Sequence, residues 1–184
     1  MTRIFRYVLM NDTGMAPCID NGRVSLATCK PKIRSSAKPG DWVIGCRPSP
    51  DQCEVVWAGR VAQSIEVGEF ERQYRGRSDA IYRGKPNAYE RLRPAYHPGA
   101  DELRKDTSAP ALVFAQDETW YFGRTPQRLP EHLMHLAAGG RGHRVGGVRV
   151  GDIDELVKWL KGVAKPGVHA RPRDAAPQKT CGGC

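Results

Sequence analysis

Apolar and polar positions alternate or cluster along this chain in segments that predict short strands broken by strong turns, with few helices between them. Ile4, Phe5, Tyr7 and Val8 crowd aromatic and branched side chains into residues 3 to 10, an opening strand that ends at the turn Asn11-Asp12-Thr13-Gly14. An extended Met15-Ala16-Pro17-Cys18 precedes the turn dipeptide Asn21-Gly22 and a short strand from Arg23 to Thr28. Pro31 opens a short helix from Lys32 to Ala37, which Pro39-Gly40 ends. In the strand Trp42 to Cys46, alternation sets Trp42, Ile44 and Cys46 on one face. After the turn Pro48 to Asp51, the strand Glu54 to Gln63 groups Val55, Trp57, Gly59 and Val61, with Arg60 opposite.

Glu66 to Tyr74 is predicted helical. Gly76 to Asp106 reads as a long polar excursion, broken by Pro86, Pro94 and Pro98 and ordered by Tyr82, Tyr89 and Tyr96. Pro110 to Ala115 and Thr119 to Gly123 read as a hairpin turning at Asp117-Glu118, and Pro130 to Ala138 as a short helix before Gly139 to Gly147, GGRGHRVGG. Ile153, Leu156, Val157 and Leu160 give the last helix its i, i+3, i+4, i+7 stripe, with Asp152 to cap it and Gly162 to end it. From Pro166 on, Pro, Ala, Gly and charge predict a flexible basic tail. The expected organisation is one domain over residues 1–165 and a tail over 166–184.

A length of 184 residues suits one well-buried domain. No run of about 18 apolar residues occurs and MTRIFRYVLM is too charged for a signal peptide, so a cytoplasmic protein without membrane contact is expected. The net charge of +9 points to a polyanionic partner, nucleic acid above all. Six cysteines without a secretory signal are expected to stay reduced, which argues against a Cys46 to Cys53 bridge across the central hairpin. Cys181-Gly-Gly-Cys184 is half a zinc site with no second C-x-x-C or H-x-H partner; His132 and His135 could join it but read better as a surface pair, so no metal and no cofactor is expected.

The chemistry concentrates in LATCKPKIR, Leu26 to Arg34. Lys30, Lys32 and Arg34, followed by Lys38, meet no acid before Asp41, which suits phosphate contacts, while backbone at Thr28 and Cys29 is placed to meet a base edge; a solvated helix face is the competing reading. Cys29 beside a lysine admits a nucleophile, but neither His97 nor any other residue is visibly its partner. Asp12 and Gly14 offer an acceptor and open backbone to a base, or a plain Asx turn. Trp42 and Trp57 suit either a stacking wall or the core. Arg141, Gly142 and His143 suit an anion clamp or a simple turn, without the Lys-Ser/Thr of a P-loop or a G-x-G-x-x-G fingerprint.

Taken in order, NDTGMAP (Asn11 to Pro17), LATCKPKIR, GDWVIG (Gly40 to Gly45), WYFG (Trp120 to Gly123) and RGH (Arg141 to His143) make the chain resemble the second of the numbered nucleotide modification associated domain families. Many relatives have Asn after the Ala-Pro where this chain has Cys18. The resemblance implies association with base modification in bacteria and their phages. The first half is also similar in architecture to EVE and other PUA-like domains, which implies an α+β fold, a small twisted mixed β-barrel with flanking helices. The expectation is therefore a pocket for a modified base in DNA, in preference to RNA, built from Asp12, Gly14, Ala16 and Pro17, from Thr28, Cys29, Lys30, Lys32 and Arg34, from Trp42, and closed by Arg141, Gly142 and His143. The rival expectations are an enzyme acting on a modified nucleotide through Asp12, Cys29 or His143, and an adaptor for a base-modification enzyme.

Overall fold

The computed structural model describes residues 2–93 and 95–175. Along the chain come β1 (Ile4–Val8), β2 (Ser25–Leu26), α1 (Pro31–Ser36), β3 (Trp42–Cys46), β4 (Glu54–Ile65), α2 (Val67–Gln73), β5 (Tyr82–Lys85), β6 (Ala88–Arg91) and α3 (Ala100–Thr107). They are followed by β7 (Ala111–Tyr121), β8 (Gln127–Arg128), β9 (His143–Arg144), α4 (Asp152–Val163) and β10 (Gly167–Val168). A curled half-barrel sheet in the order β10-β7-β4-β3-β1-β9 forms the frame, with β2 added on β7 and β8 on β4, while β5 and β6 pair separately. The fold is α+β with helices flanking a twisted sheet, as the resemblance implied. Among the described residues no helix is long and apolar enough to cross a membrane.

Period-2 alternation divides the side chains between two cores. β1 runs parallel to β3, with Ile4 opposite Trp42 and Val8 opposite Cys46. Ile4, Trp42, Ile44 and Cys46 therefore share the face covered by α4 and the 3-10 turn Glu131–Leu136, where Trp42 stacks on Trp120 at 6.4 Å. Phe5, Tyr7 and Val43 fill the opposite face with Leu26 and with Ile33 of α1. There the Trp57 indole donates to the Tyr7 hydroxyl at 3.0 Å and lies across Gly45, where any Cβ would sit 2.3 Å from Trp57 Nε1.

Several expectations are corrected. Val55 does not share a face with Trp57: the register shifts between Gly45 and Cys46, and the extra residue of this bulge turns Val55 into the first core and leaves Trp57 and Val61 in the second. The expected hairpin of residues 110–123 is one strand, β7. It pairs along β4 from Ile65↔Ala111 to Trp57↔Tyr121, and the polar Asp117-Glu118 is a bulge whose Glu118 salt-bridges Arg60. The polar excursion holds the β5-β6 hairpin and α3. Residues 167–174, expected in a flexible tail, are laid on the domain: Gly167 pairs with Trp120 in β10, and Asp174 N–H donates to Asp12 O at 2.8 Å. Cys181 and Cys184 lie outside the described residues. Cys46 and Cys53 are free thiols.

Candidate functional site

A cleft of about 1140 Å³ opens where the start of α1, the loop before β9 and the turn at Pro48 meet. Pro31 at the first helical position fixes where α1 starts, and Cys29 and Lys30 just before it both adopt left-handed backbone, with φ of 55° and 44°. This tight entry turns Cys29, Lys30 and Lys32 onto the cleft wall, where they meet Lys105 of α3 and the segment Gly139 to His143. Lys30, Lys32, Lys105 and Arg141 make no ion pair among the described residues, and no acidic side chain lines the cleft. Lys30 Nζ lies 5.0 Å from the Tyr7 ring centre, and burial, with Lys105 nearby, draws its pKa below the ordinary lysine value. His143 packs on Phe5 at 5.8 Å; burial and the charges of Lys32 and Arg144 lower its pKa, so its ring is neutral at pH 7.

Other expected site residues lie elsewhere. Arg34 is 0% exposed and faces inward, donating to the carbonyls of Pro110, Cys29, Asp106 and Ala109, so it offers nothing to a phosphate. Trp42, 1% exposed, and Trp57 are core residues rather than stacking platforms. Thr28 is buried. Asp12 is also buried: its carboxylate accepts from the Tyr121 hydroxyl at 2.5 Å and from Arg173 N–H at 3.1 Å, while its own N–H donates to Asp174 Oδ2 at 2.8 Å. Pro172 covers Gly14, Ala16 packs against the second core, and Pro17 is buried. The Asn11 to Pro17 segment thus clasps residues 172–174 and forms no part of the cleft.

Two residues from the polar excursion converge on Cys29. His97 Nε2 lies 3.8 Å from Cys29 Sγ, and His97 Nδ1 is 2.7 Å from Asp106 Oδ2. Asp106 is buried and also accepts from Cys29 N–H at 2.7 Å and the Tyr82 hydroxyl at 2.9 Å. A carboxylate collecting donors assigns the proton of His97 to Nδ1 and leaves the Nε2 lone pair toward the thiol. His97 is stacked on Tyr96 at 4.2 Å and 12°, and its backbone is left-handed at φ 51°. Burial, followed by the charge of Asp106, pushes the Cys29 pKa up, so the group rests as a thiol. One ligand atom from each of Cys29, His97 and Asp106 lies within 4.8 Å of the others, close enough to hold a metal ion. Sulfur and carboxylate nevertheless face opposite nitrogens of one imidazole, an arrangement that suits a proton relay better than three ligands on one ion.

The family model of nucleotide modification associated domain 2 matches residues 1–87 and 74–179. The chain belongs to that family. No curated protein and no solved structure matches it. In this family member the five motifs divide their work: LATCKPKIR and RGH line the cleft, GDWVIG and WYFG build the sheet beneath it, and NDTGMAP holds residues 172–174. Membership ties the chain to modified nucleotides. Lys105, His97 and Asp106 stand outside all five motifs.

Proposed function

We propose that the protein binds a nucleotide bearing a modified base, presented by DNA in preference to RNA, in the cleft beside α1. The observation that carries this reading is the unbalanced wall: Lys30, Lys32, Lys105 and Arg141 face one opening with no carboxylate among them. Phosphates bound there release counterions, which favours association. The apolar part of the lining, Val8, Met10, Pro31, Ile33 and Pro48, with the neutral His143 ring, gives a base a surface to lie on. The cleft is at or just above the roughly 300–1,000 Å³ of small-molecule sites, room enough for an extruded nucleotide and its flanking phosphates. A role beside a base-modification enzyme fits the family.

The test is capture of fragmented nucleic acid from cells carrying diverse base modifications, with nucleoside mass spectrometry of eluate against input. Enrichment of one modified nucleoside supports the reading. Bulk capture without enrichment refutes the base recognition and leaves charge alone.

A further inference from the structure

We propose that Cys29, His97 and Asp106 form a nucleophilic triad at the wall of this cleft, and that the protein cleaves an acyl-type bond, an amide or ester, on the modified nucleotide; the substrate half of this inference rests on the nucleotide reading above. Three independent observations meet here. The order thiol, imidazole, carboxylate is linear across both ring nitrogens, at 3.8 Å and 2.7 Å. The carboxylate is buried and also anchors the nucleophile's own N–H, so one group fixes both partners. Cys29, Lys30 and His97 all hold left-handed backbone, conformations that cost free energy in residues other than glycine and that gather at reactive sites. Cys29 reaches the cleft, whereas Asp106 is sealed behind it.

In the reaction, His97 Nε2 takes the proton of Cys29 as Sγ attacks the acyl carbon. The tetrahedral oxyanion forms near the ammonium groups of Lys30 and Lys105. Collapse breaks the bond to the amine or alcohol of the nucleotide, which leaves with the proton from His97, and a thioester remains on Cys29. Water, deprotonated by His97, then attacks the thioester, releasing a carboxylic acid and restoring the thiol. The net change is one water added across one acyl bond, with no oxidant or reductant.

The experiment uses the full chain and p-nitrophenyl acetate as the acyl probe. Wild type is expected to release p-nitrophenolate in a burst and to carry an acetyl group on Cys29, located by peptide mass spectrometry. Cys29→Ser abolishes that label, and His97→Gln slows acylation about 100-fold, as loss of a general base does, while both keep the wild-type melting temperature. Acylation of His97→Gln at the wild-type rate, a Cys29 that stays unlabelled, or stoichiometric zinc in wild type that is lost in Cys29→Ser overturns the triad. A single-stranded DNA oligonucleotide separates the two readings. Acylation that the oligonucleotide leaves unchanged keeps the triad and removes the nucleotide, and tight oligonucleotide binding to a protein whose Cys29 cannot be acylated does the reverse.

Discussion

Replacing Arg34 by alanine tests whether this cation belongs to the interior or to the nucleic-acid surface. Its guanidinium, 0% exposed, donates to four carbonyls, one from Cys29 and three from residues 106–110, with burial drawing its pKa down to about 10. Removing it leaves two buried acceptors, the carbonyls of Asp106 and Ala109, and two half-buried ones, those of Cys29 and Pro110, without this donor, at a cost of about 1 to 3 kcal/mol for each buried one and less for the others. Relief of the buried charge and water entering the vacated space offset much of the upper sum, so a net loss of about 4 kcal/mol is expected, in line with breaking a buried charged network. For a domain whose total stability is about 5–15 kcal/mol this is a large share. Urea unfolding followed by fluorescence of the buried Trp42, Trp57 and Trp120 reads the change. At a slope of about 2 kcal/mol/M the midpoint falls by about 2 M. Lys32→Ala, on the exposed face of the same helix, shifts it by the equivalent of about 0.5 kcal/mol or less. An Arg34→Ala protein with the wild-type midpoint and a flattened salt dependence of DNA binding would refute the burial argument and return Arg34 to the phosphates.

The remaining expectations concern the cleft, the sheet and acid stability. Changing Lys32, Lys105 and Arg141 together to alanine reduces the salt slope of single-stranded DNA binding by about 2, from about 0.7 per phosphate contact, measured by fluorescence anisotropy; an unchanged slope removes them from the interface. His143, held below its ordinary value by burial, Lys32 and Arg144, gains its proton only as pH falls below about 6.5. DNA affinity therefore rises on acidification through that range, and His143→Ala abolishes the rise. Gly45→Ala drives a methyl into the Trp57 indole and costs about 1–3 kcal/mol, visible as a lowered melting temperature; a wild-type melt contradicts the close approach. Burial alone raises the Asp41 carboxyl, but hydrogen bonds from the Arg3 side chain, Lys38 N–H and Arg3 N–H outweigh it and hold its pKa below the ordinary value. Its contribution to stability is thus complete above the unfolded pKa of about 3.9 and is lost as pH falls through the lower folded value. In acid titrations followed by circular dichroism, Asp41→Asn flattens that limb, and an unchanged limb rules Asp41 out as its source.

What could be read from the sequence was local. Trp42 to Cys46 alternates cleanly and forms β3, and the stripe from Ile153 to Leu160 forms α4. Asp117-Glu118 misled because a bulge and a turn use the same polar residues; only Arg60 on the neighbouring strand, opposite the bulge, decides between them. Arg34 looked like its neighbour Lys32 because the carbonyls that enclose it come from residues 106–110, beyond any local window. The cleft was half legible: Lys30, Lys32, Arg141 and His143 lie in two short motifs, whereas Lys105 sits on a helix the excursion concealed. His97 and Asp106 meet Cys29 across 68 and 77 residues, and neither has a neighbour in sequence that marks it.

The clasp between Asp12 and residues 173–174 joins positions about 160 apart in the chain, and β10 lies at the far edge of the same sheet that β1 enters near the opposite edge. Contacts of such separation must wait for nearly the whole polypeptide, so on a ribosome the first strand emerges long before the segment that completes its surroundings. Asp12 lacks its partners at Arg173 and Asp174 until residue 174 has been made. Assembly of this domain is therefore a late, nearly single event in synthesis, and a chain stopped short of the clasp is a substrate for proteases rather than a smaller working protein.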